Sequence, residues 1–244
     1  MTFIHQRTKG SSGAGGGGGP SLDYTPDGIL NVNDLGLADG TAVASWGFIN
    51  SWSLGAPSYN ASEDAVEFAS GQGGGDFFNI EDFNAVGRLT LTCLCRVTGA
   101  GVILFAGTDT SDVSSRLLLE LSSAGEPFVG GRINDTSSFS SGRGNDFTAD
   151  YIVVQGVCDW ANGELRVYLN GYLQATASLS ATGTTEATAS KTAEIFGANR
   201  IDTGDLSFVG FVKHAHVYLD RALTADELKR DTYYQLTLHD DALA

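Results

Sequence analysis

The stretch Tyr151–Thr176 (YIVVQGVCDWANGELRVYLNGYLQAT) constrains the fold more than any other. It reads as three consecutive strands joined by two tight turns, at Asn162-Gly163 and Asn170-Gly171. Asn-Gly between alternating apolar residues is a strong hairpin signal, because a type I′ turn needs positive φ at both central positions. In Glu164–Asn170, Leu165, Val167 and Leu169 point to one face and Arg166 and Tyr168 to the other. That pattern predicts a half-buried antiparallel strand with one face in water.

The rest of the chain supplies more strands at close intervals. Arg88–Val97 and Gly101–Ala106 read as a buried hairpin, and Ser115–Leu121 and Pro127–Ile133 as a second one around Ser122–Glu126. Asp64–Ser70 places Val66 and Phe68 on one face, Gly71–Gly75 turns, and Asp76–Ile80 returns. Thr192–Ala198 and the long Leu206–Leu219 close the series, with a polar loop at Asn134–Asp150 and a long loop or poor edge strand at Ser178–Ser190. Trp46 and Trp52 pack in the core or at its edge. Many short strands with turn signals between them indicate a sandwich or barrel. Cys93 and Cys95 share a stripe with Leu89, Leu91 and Val97, and Cys158 alternates with Ile152 and Val154, so all three cysteines read as small buried hydrophobes. One helix stands out: Thr224-Ala-Asp-Glu227 is a capping box, Leu223 and Leu228 are spaced as its hydrophobic staple, and the helix is expected to reach about Tyr234 and pack on a sheet edge.

Residues 1–22 form a separate segment, because Lys9–Pro20 is nearly all Gly and Ser and has no side chains with which to fold itself. It reads as an arm ordered by neighbouring subunits, with Phe3, His5, Arg7 and Lys9 as its assembly contacts; residues 23–244 form the folded domain. The net charge of −15 argues against nucleic acid and anionic membranes as partners. No apolar run reaches the length of a membrane span, and no secretory signal follows the N-terminus.

The order of these pieces over roughly Thr41–Leu236 resembles the laminin-G-like branch of the concanavalin A-like lectin/glucanase superfamily. Ala65–Ile80 (AVEFASGQGGGDFFNI) looks like its entry hairpin and Glu164–Gly171 (ELRVYLNG) like its signature hairpin. Ile195–Arg200 (IFGANR) is similar to the strand that follows, and Val212–Leu228 (VKHAHVYLDRALTADEL) resembles the closing strand and capped helix. The resemblance implies an all-β fold: a two-sheet antiparallel jelly-roll sandwich with one short C-terminal helix and a Gly-rich N-terminal arm. It also implies that sugars bind on the concave sheet and its rim loops. Fold does not give function, since such domains include lectins, adhesion modules, glycosidases and structural blocks.

Relatives that hydrolyse glycans use two carboxylates on one strand face. Glu63, Asp64 and Glu67 have the wrong spacing for this, and Glu81-Asp82 lies in a loop, so all read as solvated acids and the chain as non-enzymatic. His214 and His216 sit at i and i+2 and read as an exposed pair on a sheet face; that spacing also suits a metal, but no third ligand is evident. Many relatives carry paired Asp in the closing strand, where this chain has Lys213 and His214, which are not hard oxygen ligands. Calcium is therefore not favoured, with Asp109–Asp112 and Asp202–Asp205 as the remaining Asp-rich loops, and no cofactor is expected. Sugar binding wants an aromatic platform beside hydrogen-bonding groups. Trp160, next to the Asn162-Gly163 turn, is the first candidate, the alternative being a ring folded over the hairpin. Phe139, Arg143, Asn145 and Phe147 in the long polar loop are the others.

Taken together, these features suit a carbohydrate-binding or adhesion module in a larger assembly. The expectation is a phage virion decoration or fibre protein, homo-oligomeric, held to other virion subunits by its arm and turned toward host-surface glycans. The rivals are a structural virion block without glycan binding and an accessory domain of a glycan-active enzyme.

Overall fold

The described residues form two stacked antiparallel sheets, a small two-stranded ribbon and one α-helix. The computed structural model describes residues 22, 24–78, 86–99, 101–106, 116–122, 126–133, 140–144, 151–185, 193–198 and 206–239. In chain order the strands are β1 (Gly28–Asn31), β2 (Trp52–Gly55), β3 (Ser58–Asn60), β4 (Ala65–Phe68), β5 (Gly73–Phe78), β6 (Arg88–Val97), β7 (Gly101–Ala106), β8 (Arg116–Leu121) and β9 (Pro127–Arg132). There follow β10 (Ser140–Arg143), β11 (Ile152–Asp159), β12 (Glu164–Leu169), β13 (Tyr172–Ser178), β14 (Ala193–Ile195), β15 (Gly197–Ala198), β16 (Leu206–Ser207), β17 (Gly210–Leu219) and the helix α1 (Ala225–Leu238).

The eight-stranded sheet runs β13-β12-β11-β6-β17-β4-β3, with β1 also paired to β17. The seven-stranded sheet runs β10-β9-β8-β7-β14-β5-β2, and β15-β16 form a small ribbon. The inner faces meet in one apolar cluster. Leu89, Leu91, Cys93 and Cys95 come from β6, Leu165, Val167 and Leu169 from β12, and Leu117, Leu119 and Leu121 from β8. Gly156 makes room for this contact, since a Cβ there would lie 3.1 Å from Leu119 Cδ1. The all-β sandwich with a C-terminal helix is therefore the observed fold, and the three cysteines are buried within it.

Two expected hairpins prove to be crossings between sheets. β6 already pairs with β11 on one side and β17 on the other, so β7 cannot join it and pairs with β8 and β14 in the second sheet. Likewise β4 pairs with β17 while β5 pairs with β14; the chain changes sheet through Gly71 and Gly73, at φ 80° and 102°. β8 and β9 do form the expected hairpin. The Asn134–Asp150 stretch is not all loop, because β10 lies within it and pairs with β9.

The two Asn-Gly turns differ. Asn170 and Gly171 both have positive φ, 48° and 79°, as a type I′ turn demands. At Asn162-Gly163 only the glycine does, at 71°, and Asp159 faces Glu164, so four residues close the turn. Asp159 stabilises it by accepting from the Asn162 amide at 3.1 Å and its side chain at 2.7 Å.

The outer face of the meander is not wet around Tyr168. Tyr168 is buried with Val157, Tyr218, Leu223 and Leu228, because α1 lies across this face instead of along an edge. The capping box at Thr224 and Glu227 is present, and the helix runs on to Leu238, beyond the expected end. Its buried residues Leu228, Asp231, Thr232, Gln235 and Leu236 recur at three- and four-residue spacing, which keeps one face on the sheet.

Candidate functional site

The two outer faces of the sandwich have opposite characters. That of the eight-stranded sheet is sealed by α1 over a polar network. A bulge in β17 at Lys213 puts His214, His216 and Tyr218 on this side, leaving Val212, Ala215 and Val217 in the core. His214 and His216 are each 1% exposed, which corrects the expectation of an exposed pair. They are covered because Asp231 and Gln235 of α1 supply polar partners. Asp231 Oδ1 lies 2.6 Å from His216 Nδ1 and accepts from Tyr218 OH at 2.7 Å. Gln235 Nε2 donates to Thr92 Oγ1 at 2.6 Å and to Asp231 Oδ2 at 2.8 Å. Gln155 Nε2 donates to the Leu228 carbonyl, and its Oε1 accepts from Gly171 N. Burial works to raise the Asp231 carboxyl, but His216, with the Thr92 and Tyr218 hydroxyls, holds it below its ordinary range. Burial, followed by the neighbouring His216 and His239 rings, pushes His214 well down.

The outer face of the seven-stranded sheet has no helix on it among the described residues. Alternation decides what it shows. With Leu117, Leu119, Leu121 and Val129 turned inward, Leu118, Glu120 and Phe128 turn outward. The pairings place Glu120, Phe128 and Arg143 in one row across β8, β9 and β10. The Arg143 guanidinium carbon stands 5.1 Å from the centre of the Phe128 ring, within cation–π reach. Its Nη1 is 3.5 Å from Glu126 Oε2. Burial pushes the Glu120 carboxyl up, and the nearby Arg143 charge partly offsets this. Beside the row, Gly130 sits opposite Leu118 and Ser141 and adds no side chain of its own. Gly144 helps fix β10 here: its N–H donates to the Pro127 carbonyl at 2.8 Å, and a Cβ on it would lie 2.7 Å from Gln174 Cβ.

Of the residues predicted from sequence, Arg143 is therefore exposed on this face. Trp160 is not: it is 0% exposed, and its indole Nε1 donates to the Arg132 carbonyl at 3.1 Å. It is a core ring that ties the β11–β12 turn to the end of β9, and it has no open face for a sugar. Phe139, Asn145 and Phe147 lie outside the described residues, as do Phe3, His5, Arg7 and Lys9 of the arm. Glu81, Asp82 and the Asp-rich loops 109–112 and 202–205 lie outside them too. Glu63 is paired with Arg96 at 2.7 Å, and Glu67 accepts from Asn60 at 2.8 Å. Among the described residues no group of three or more His, Cys, Asp or Glu side chains is arranged to hold a metal ion. Sequence reasoning missed Glu120, Glu126 and Phe128. Their signal was the alternation in RLLLEL and the aromatic residue just before Gly130-Gly131.

An arginine fork over an aromatic ring, beside a half-buried carboxyl, offers donors, an acceptor and an apolar surface on a rigid sheet. Such a set suits binding of a polar, ring-shaped ligand.

No protein-family model matches the chain, and a comparison with curated proteins finds no match. Solved structures do resemble it. The carbohydrate-binding module CBM40 of the Ruminococcus gnavus IT-sialidase, bound to α2,3-sialyllactose, superposes with a TM-score of 0.54 at 19% identity, over 69% of this chain and 96% of that one. The same module bound to α2,6-sialyllactose gives 0.52 at 15% identity, over the same shares, 69% and 96%. A leech intramolecular trans-sialidase complexed with 2,7-anhydro-Neu5Ac gives 0.53 at 17% identity, over 69% of this chain and 27% of that one. These likenesses bear out the jelly-roll sandwich fold that the sequence resemblance implies.

Proposed function

We propose that the protein is a non-enzymatic carbohydrate-binding module whose ligand lies on the outer face of the seven-stranded sheet, around Arg143, Phe128 and Glu120. One observation carries this reading: α1 closes one outer face, while the other presents a guanidinium over an aromatic ring beside a half-buried carboxyl. The sialyllactose complexes of CBM40 support it, since they place glycan binding on a similar scaffold. The test is a glycan array followed by titration calorimetry on the best ligand. Arg143→Ala is expected to weaken binding about tenfold or more, about 1.4 kcal/mol, with an unchanged melting temperature. An array with no signal, or full affinity in that variant, refutes the reading.

The finer reading is a surface component of a phage virion, decoration or fibre, assembled as a homo-oligomer and held to other subunits by residues 1–22. Its support is the position where the arm joins the domain. Tyr24 OH donates to the Glu227 carbonyl at 2.8 Å, its ring packs edge-on against Tyr218, and Arg221 stands 4.3 Å above it. Tyr24, which follows the arm in sequence, thus stands on the helix-covered side of the domain, opposite the Arg143 face. Removing residues 1–22 is expected to abolish co-sedimentation with particles without changing glycan affinity. Particle association that survives the truncation, or a full-length chain that stays monomeric and particle-free, overturns it.

A further inference from the structure

Three of the chain's four histidines meet beneath α1 and its end. Their ring nitrogens form a line. His239 Nε2 lies 3.2 Å from His214 Nδ1, His214 Nε2 lies 2.7 Å from His216 Nε2, and His216 Nδ1 lies 2.6 Å from Asp231 Oδ1. Each of these gaps is the length of one hydrogen bond, with room for one proton and not for two.

Asp231 sets the direction of the line. Tyr218 OH and Gln235 Nε2 both donate to it, so it is an acceptor, and His216 donates to it from Nδ1. With all three rings neutral, His216 Nε2 must then accept from His214, and His214 Nδ1 from His239. One added proton is accommodated either on His239 Nδ1 with the line unchanged or by reversal. In the reversal, His216 becomes an imidazolium that donates to Asp231 and to His214, His214 donates to His239, and His239 carries its proton on Nδ1. Every gap still holds one proton. A second added proton has no such arrangement, because two N–H groups would face each other in one gap.

We propose that this line is an acid-operated latch on α1, which holds the helix to the sheet while at most one extra proton is bound and releases it when a second arrives. Among the described residues, these charged and titratable groups face the line. From β17, the Lys213 ammonium lies over the Tyr151 ring at 4.2 Å, and Tyr218 points to Asp231. From α1, besides Asp231 and Gln235, the Tyr234 ring is 5.7 Å from that of His216. β6 and β11 contribute the uncharged Thr92 and Gln155. Tyr24 and the Arg221–Glu227 pair stand beyond Tyr218, and Asp34 acts from beyond Tyr234. The docked helix favours neutral His214, whose pKa is depressed. Its contribution is complete above about pH 6.5, the ordinary histidine value, and falls as the pH drops below it.

The test is amide hydrogen exchange on the full chain between pH 7 and 5, corrected for intrinsic rates. Protection of α1 is expected to fall below about pH 6.5, by about tenfold per pH unit for each proton taken up on opening, while β11 and β12 keep theirs. His214→Gln, which bonds but does not titrate, is expected to flatten the helix profile. Helix protection that stays constant from pH 7 to 5, or that is lost equally in β11, overturns the latch, as does an unchanged slope in His214→Gln. If that variant does not fold, His239→Gln at the outer end decides: a reduced slope supports the latch, and a wild-type slope overturns it.

Discussion

Trp160→Ala is expected to destabilise the whole domain by about 3–5 kcal/mol, the range for removing a fully buried large aromatic ring. The side chain is 0% exposed within the main core cluster. Its removal leaves a cavity between the β11–β12 turn and the end of β9, and withdraws the donor on the Arg132 carbonyl. For a domain of this size the melting temperature should fall by on the order of 10 °C. Urea unfolding followed by far-UV circular dichroism measures it. A variant that melts like wild type but no longer binds glycan would make Trp160 a ligand contact after all and refute the core assignment.

Asp231→Ala is the second large effect. It removes the shared acceptor of three buried donors, His216 Nδ1, Tyr218 OH and Gln235 Nε2. Breaking a buried charged pair by removing one partner costs about 3–5 kcal/mol. The expected result is loss of the helical signal at lower urea than the sheet signal, because the missing acceptor affects α1 first. A shift of the whole transition below about 1 kcal/mol would show that the network is incidental to docking.

Much of the architecture was legible because its signals are local. Thr224 and Glu227 sit three residues apart, and the capping box they form needs no distant partner. The β8–β9 hairpin and the Asn170-Gly171 turn are equally self-contained. The sheet crossings were not legible. Arg88–Val97 followed closely by Gly101–Ala106 reads as a hairpin until β11 and β17, both far along the chain, are known to occupy both edges of β6. His214 and His216 show the same limit. Their spacing places them on one face, but whether that face is wet depends on Asp231, in a helix read as covering an edge, and on His239 just past its end. Trp160 looked dispensable to the turn because its acceptor, the Arg132 carbonyl, belongs to the other sheet. The Glu120–Phe128–Arg143 row was half visible: Arg143 stood out as a loop cation, but its partners depend on the register of three strands.

The place of β17 has a consequence for synthesis. It sits between β6 on one side and β4 and β1 on the other, yet it is the last of the described strands in chain order. A ribosome therefore makes every other strand before the one that joins them, and the nascent chain carries β6 with an open edge and a row of unpaired backbone groups. Pairings so distant along the chain close slowly, and such edges invite association with neighbouring chains. The eight-stranded sheet completes itself only after β17 has been made. A chain cut short before Gly210 lacks the strand that joins β6 to β4 and β1, however much of the meander it contains.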